Sequence, residues 1–449
     1  MKKNKLRENW TGRLGFVLAT AGFAIGLGNI WRFSYVAGNN GGGAFLIIYL
    51  AVMALFGIPL FLAEAGLGRK AGSGIIIGMR KLTKKGSPWV IIGWLGTLAA
   101  ALISSYYFMI MGWMLDYFVK IASGTFSGKS TAEISAVFDK MVTSPWEVII
   151  YSLIAALMIG YIVSRGITGG IERFSRLVMP TLIILLTVLA IFSLTLPGAL
   201  EGAIWYLKPD FSQVGFGTVL EALGQGFFSV GIGLAAAFTY GSYLKREESN
   251  LVTDGIWVIT LDTFIAFISG LVIFPALFAF DVAPDSGAGL LFLTIPNLFD
   301  MIPGGTFFGL LFFFLVIIAG LTTGVGLVEA VVVNIAEVFK LKRQTSIYVS
   351  TIVLFLLSIP SILSQGPWSE FLIFGMDIFD FVDYVSGNIL LTLGGLLIAL
   401  YVAFKWKFDN FMNELNVGTS GIRITPILKP LITVFIPVVI AFIVLSSFL

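Results

Sequence analysis

Ala21-Gly22-Phe23-Ala24-Ile25-Gly26-Leu27-Gly28-Asn29 lies in the middle of the first long apolar segment of the chain. Three glycines in seven residues, followed by Asn, weaken a helix where a membrane helix should be strongest, because each interior Gly costs about 1 kcal/mol relative to Ala. A second stretch of the same kind, Phe228-Ser229-Val230-Gly231-Ile232-Gly233-Leu234, falls at the same depth of the sixth apolar segment. Small residues also let membrane helices pack closely, and a lone Gly pair would be read that way. Here the breaks fall five segments apart, and the second set of five starts from the opposite side of the membrane. That is the pattern of an inverted repeat, in which discontinuous helices in matching halves mark a transport site. Unwound carbonyls can coordinate a cation, and half-helix N-termini attract a carboxylate.

The rest of the chain fits a membrane-embedded protein. Of its 449 residues 57% are hydrophobic and 12% charged, where soluble domains carry about 25% charged residues. Mean hydropathy is +0.97. A spanning helix needs about 20 apolar residues, and eleven segments qualify. They run roughly 13–37, 42–69, 88–120, 147–163, 175–196, 217–243, 252–281, 305–338, 344–364, 380–406 and 424–449. The expected fold class is therefore an all-α membrane protein of about eleven transmembrane helices. It forms a single domain over 1–449, with repeats at about 13–196 and 217–406 and an extra helix at about 424–449.

Positive charge orients the spans. With the N-terminus in the cytoplasm, 23 of the 28 Lys and Arg residues lie inside and four outside, leaving Arg32 within the first segment. External segments are instead acidic or neutral, with Asp281, Asp285 and Asp300 in one and Glu370 and Asp377 in another. The basic start, MKKNKLRENW, has no small-residue cleavage site after it and reads as a cytoplasmic tail. The C-terminus then lies outside.

Several functions are disfavoured. There is no Cys and no His, so disulfides, the usual zinc and thiol sites and the commonest general base are absent. No phosphate-binding Gly-Lys-Ser/Thr loop exists, which argues against a primary pump. The net charge of +3 gives no reason to expect nucleic acid. An enzyme is not expected. An ion channel using the broken helices as a filter is the main alternative of another class.

At these residues the chain resembles the neurotransmitter:sodium symporter family, with its LeuT-type fold. The resemblance rests on Gly26-Leu27-Gly28-Asn29-Ile30-Trp31-Arg32-Phe33, on Asn40-Gly41-Gly42-Gly43-Ala44-Phe45, and on Gly57-Ile58-Pro59-Leu60 with Glu64. It rests also on Gln225-Gly226-Phe227-Phe228-Ser229 and Ala319-Gly320-Leu321-Thr322-Thr323. Eleven helices rather than twelve resembles the family's bacterial branch, and within it the chain is similar to a sodium-coupled tyrosine transporter.

That resemblance implies a substrate, ions and gates. Monoamine carriers have Asp where this chain has Gly26, so an α-amino acid is favoured over a monoamine. Its carboxylate would meet the Gly26 backbone and the Tyr107 hydroxyl. Its ammonium would meet carbonyls around Phe23, Ala24, Phe228 and Ser229. The side-chain pocket would include Ile103, Tyr107, Phe228, Gly231, Leu234, Thr323 and Leu327. Gly231 and Leu234 replace the Ser and Phe of a relative selecting small aliphatic amino acids. A bulky hydrophobic or aromatic substrate follows, tyrosine favoured, with branched aliphatic amino acids as the alternative.

Two sodium ions are implied. The first would be held by Ala24, Asn29, Ser229 and Asp262 with a substrate carboxylate oxygen. The second would be held by Gly22, Ile25 and Ala319 carbonyls with Thr322 and Thr323 hydroxyls. Asp262 departs from the family's usual Asn, and an intramembrane carboxylate is functional by default. Some bacterial relatives replace the animal carriers' chloride with a Glu one turn further on, where this chain has Ala266. Asp262 is therefore expected to serve as sodium ligand and as fixed negative charge, making transport chloride-independent. After sodium leaves it would take a proton and carry it outward.

For the gates, Arg32 is expected to pair with Asp383 on the outside. Arg7 is expected to pair with Glu337 on the inside, where Trp10 and Tyr243 pack nearby. Glu64 is expected to brace the unwound part of the sixth helix. The lipid bilayer is the one macroscopic partner implied, and oligomeric state is not legible.

Overall fold

The computed structural model describes residues 8–281, 292, 295–296, 304–418 and 420–446. Asp285, Asp300 and Arg7 lie outside the described residues. The described chain is helical, and its bridging outside helices is limited to two isolated pairs, Gly42 with Pro209 and Ile373 with Met376.

Nine helices among the described residues are long and apolar enough to cross a membrane: Gly43–Ala71, Pro88–Ala122, Pro145–Ser164, Ile167–Leu194, Leu251–Ala279, Gly305–Val338, Arg343–Ser364, Ile378–Trp406 and Pro426–Leu445. These are the second to fifth and the seventh to eleventh spans. The first span is a bent pair, Arg13–Ala24 and Gly28–Asn39, with an angle of 55° between its halves. The sixth is also broken, into Phe216–Val230 and Ala236–Gly241, neither half long enough to cross alone. The eleven segments read from hydropathy are thus all present, and the breaks fall in the first and sixth.

Local chemistry sets the ends. Pro88 and Pro145 open the third and fourth spans, where the missing N–H is harmless. Arg69 and Lys70 close the second span before Gly72, a left-handed cap. Short helices link the spans. Thr131–Val142 follows the third span and starts with a Ser130–Glu133 capping box. Ala199–Leu207 precedes the sixth, and the amphipathic Phe408–Leu415 follows the tenth. Pro180, Pro275 and Pro360 sit inside spans, tolerated where neighbouring helices re-satisfy the freed backbone.

Burial ranks the spans. Of the most apolar stretch, 83% is buried in the eighth span and 78% in the third, against 22% in the eleventh. The eighth and third are central and the eleventh peripheral. The outer surface carries exposed Leu157, Leu177, Ile184, Leu356, Ile427 and Val438, an apolar belt suited to lipid and not to water. This is an integral membrane protein.

Candidate functional site

The first span stops being helical after Ala24, and Ile25 is extended, with φ −79° and ψ 95°. In the sixth span Gly231 and Gly233 take φ values of 66° and 85°, which the absence of Cβ permits. Ala235 follows with φ 61° and starts the second half-helix. These two interruptions leave backbone polar groups without helical partners at the centre of the molecule.

One polar cluster forms beside them. Asn29, Ser229 and Asp262, from the first, sixth and seventh spans, are essentially fully buried. The Asn29 amide donates to the Asp262 carboxylate at 2.8 Å, to its backbone carbonyl at 3.0 Å and to the Ser229 hydroxyl at 3.1 Å. The Ser229 hydroxyl lies 3.0 Å from both Asp262 carboxylate oxygens. Asn29 turns its own oxygen to the Gly26 N–H at 3.3 Å. The Tyr49 hydroxyl, which sequence reading missed, approaches Ser229 at 3.4 Å. None of the ion pairs among the described residues includes Asp262. A buried carboxylate without a cationic side chain is costly, and this one, with the Ser229 hydroxyl and the Asp262 carbonyl beside it, gathers hard oxygen atoms at one point. The donor set fits a hard cation.

A second cluster joins the first and eighth spans. The Thr322 hydroxyl donates to Ala319 O at 2.7 Å and lies 3.5 Å from Ile25 O. Gly22 backs onto the same threonine. Thr323 points elsewhere, donating to Phe23 O at 2.8 Å. Four of the five expected residues, Gly22, Ile25, Ala319 and Thr322, therefore converge, while Thr323 ties the eighth span to the broken first span. Any side chain added at Gly26 would run into the Thr323 hydroxyl.

Around these clusters Ile103, Tyr107, Leu234 and Leu327 are buried and Phe228 partly so. The Tyr107 hydroxyl donates to Gly320 O at 3.1 Å. The Phe23 ring lies where side chains at Gly231 and Gly326 would stand. The Glu64 carboxylate, wholly buried, accepts the Gly233 N–H at 3.2 Å, so it does hold the unwound segment.

The two ends of this site differ. At one end Arg32 donates to Gln225 at 2.9 Å and lies over the Phe228 ring, 4.9 Å from its centroid. Gln225 is fixed in turn by Gly28 O at 2.9 Å. Arg32 and Asp383 line a cavity of about 330 Å³ together with Glu221, Phe228 and Asn388, but no ion pair joins them. The expected pair is unmade in this conformation because Gln225 and the aromatic face hold the guanidinium back.

At the other end Trp10 is buried. Its backbone N–H donates to Tyr243 O at 3.2 Å and its ring N–H to Tyr240 O at 2.9 Å. Its ring meets Phe16, Tyr240 and Tyr243 edge-on. The Tyr243 hydroxyl donates to Glu329 at 2.6 Å, and Arg343 clasps the same carboxylate at 2.8 and 2.7 Å. Arg13 pairs with Asp254, Thr11 and Arg176 with Glu172, and Arg69 and Arg246 with Glu414. Arg7 lies outside the described residues, and Glu337 accepts the Gly74 N–H at 2.8 Å. Sequence reading missed Glu172, Asp254, Glu329 and Glu414. For Glu329 the available signal was an acid inside an apolar span.

The sodium:neurotransmitter symporter family profile matches residues 7–131 and 121–449. The chain belongs to this family. Among its relatives, an uncharacterized sodium-dependent transporter of Bacillus subtilis (strain 168), YhdH, is 37% identical over 412 residues, 92% of this chain and 91% of that protein. The human sodium- and chloride-dependent creatine transporter 1 is 29% identical, covering 96% of this chain and 75% of its own. The crystal structure of MhsT in complex with L-phenylalanine superposes with a TM-score of 0.90 at 38% identity, over 98% of this chain and 100% of that one. As a member of this symporter family the chain is a sodium-dependent transporter with the LeuT-type fold, and its first and sixth spans are the family's broken pair.

Proposed function

We propose that the chain carries a bulky hydrophobic or aromatic α-amino acid, tyrosine favoured, into the cell together with two sodium ions and without chloride. The observation that carries this reading is Asp262 packed against Asn29 and Ser229 with no cationic side chain beside it. A sodium ion there completes the charge, and a substrate carboxylate adds a ligand to the same ion. Substrate and ion are coupled because neither is fully coordinated without the other. The second sodium uses Gly22, Ile25, Ala319 and Thr322 at the hinge of the first span, with Thr323 turning in from Phe23.

The amino-acid reading draws on Gly26, where an amine-pairing carboxylate has no room beside Thr323, and on the L-phenylalanine bound by the similar MhsT. Ile103, Tyr107, Phe228, Gly231, Leu234 and Leu327 form the side-chain pocket. The human relative is sodium- and chloride-dependent by name. Here Ala266 stands one turn beyond Asp262, so the fixed charge is Asp262 itself. The Trp10 face is the cytoplasmic one and the Arg32 face the external one, in a bacterial inner membrane, following the 23 cytoplasmic cations. The repeats are about 13–196 and 217–406, and the two ends open in turn.

Replacing Asp262 by Ser tests the central residue. Uptake by D262S is expected to acquire a chloride requirement while the wild type works equally well in gluconate. A D262S protein that is active in both anions to the same degree would remove Asp262 from the charge-replacing role.

A further inference from the structure

The unwound part of the sixth span touches more than the site it lines. Five residues, 231–235, hold three positive φ angles, at Gly231, Gly233 and Ala235. On one side this segment is held by the Phe23 ring and by Glu64. On the other it lies directly against the backbones of two different spans. A methyl group on Gly394, in the tenth span, would stand 3.1 Å from Gly233 Cα and 3.3 Å from Gly233 O. A methyl on Gly96, in the third span, would stand 3.0 Å from Gly233 O and 3.3 Å from Ala235 N. Both contacts are backbone, which cannot rotate away as a side chain can. Neighbouring Gly395 differs, because its nearest neighbour is the Ile232 side-chain methyl at 3.2 Å.

We infer that Gly394 and Gly96 are specificity-determining residues that act from outside the substrate pocket, by setting how far the 231–235 segment sits from Phe23 and Leu234. An added methyl at either position pushes the segment away from the third or tenth span, and on the first span it already meets Phe23. The Gly231 position is already against the Phe23 ring, with a would-be Cβ 2.7 Å from it. Movement that way narrows the space between the sixth span and Phe23, and large side chains lose more than small ones. Packed interiors shift as connected bodies and do not absorb an extra methyl locally. This inference rests on the reading of the pocket as an amino-acid site.

The test is sodium-dependent binding of labelled phenylalanine to the purified full chain, displaced by unlabelled tryptophan, phenylalanine, tyrosine, leucine and valine. In G394A the affinities for the aromatic amino acids are expected to fall about tenfold relative to leucine and valine, the usual scale for a methylene-sized change in a pocket. G96A is expected to shift the same ratio in the same direction, and G395A to leave it near the wild-type value. Stabilisation against heat by sodium confirms that each variant is folded. If G394A does not fold, the G96A ratio decides. Folded variants that weaken all amino acids equally, or none, overturn the inference and assign these glycines to packing alone. A wild-type protein that binds no labelled phenylalanine in sodium overturns the substrate reading first and this inference with it.

Discussion

The Trp10 face and the Arg32 face are built on opposite plans. At the Trp10 face Glu172, Asp254, Glu329 and Glu414 are buried and each meets an arginine, Asp254 and Glu414 from distant parts of the chain. Trp10 fills the space between Phe16, Tyr240 and Tyr243. At the Arg32 face a single arginine is held by Gln225 and Phe228, and its potential partner Asp383 lies across open space. One end is closed by several arginines paired with buried carboxylates, while at the other a single cation is held away from its acid. Closing the Arg32 end needs Arg32 to exchange one partner for another. Opening the Trp10 end needs several charged groups to be separated and rehydrated together.

That contrast can be broken at the Trp10 end first. Glu329→Gln leaves Arg343 and Tyr243 without the carboxylate, and losing one partner of a buried pair costs about 3–5 kcal/mol. The Trp10 face is expected to open. The chain has no cysteine, so a single reporter such as Thr20→Cys gives a clean labelling rate, which should rise markedly. An unchanged rate would show that the Glu329 pairs do not hold the face shut. Trp10→Ala removes a buried aromatic anchor worth about 3 kcal/mol, and the same reporter should label faster, though less so than with Glu329→Gln. At the Arg32 end Gln225→Ala frees Arg32 from a charge-assisted bond worth about 1.5 kcal/mol. Arg32 then reaches Asp383 more often, and a cysteine at Asn388, in the cavity wall, should label more slowly. The smallest effect sharpens the rule. Lys245 and Glu248 form an exposed pair at 2.9 Å, so Lys245→Gln should change stability by less than about 1 kcal/mol and leave labelling at both ends unaltered.

How far the sequence carried the reading follows the range of the interactions. The breaks at Gly26–Gly28 and Gly231–Gly233 were legible because glycine density acts locally, and the structure has them where the glycines fall. The clustering of Asn29, Ser229 and Asp262 came from the family resemblance, since nothing in the spacing of those residues brings them together. The ion pairs of the Trp10 face were not legible. Some partners are separated by long stretches of chain, as Arg13 and Asp254 are, and any of several acids could have met any of several arginines. The Arg32–Asp383 pair depends on conformation, which a sequence does not specify. Thr323, expected at the second ion site, donates to Phe23 O in this structure, a local choice that the sequence does not reveal. The π-helical turns at Met53–Gly57 and Tyr384–Leu390 left no trace in hydropathy, because one extra residue in a helix hardly alters the apolar pattern.

The most direct measurement of the central claim is uptake of labelled tyrosine and phenylalanine into proteoliposomes, with and without an inward sodium gradient and with gluconate in place of chloride. Saturable uptake is expected that needs the sodium gradient, survives the loss of chloride and is competed by aromatic amino acids. Uptake that is indifferent to sodium, or that stops when chloride is removed, would contradict it.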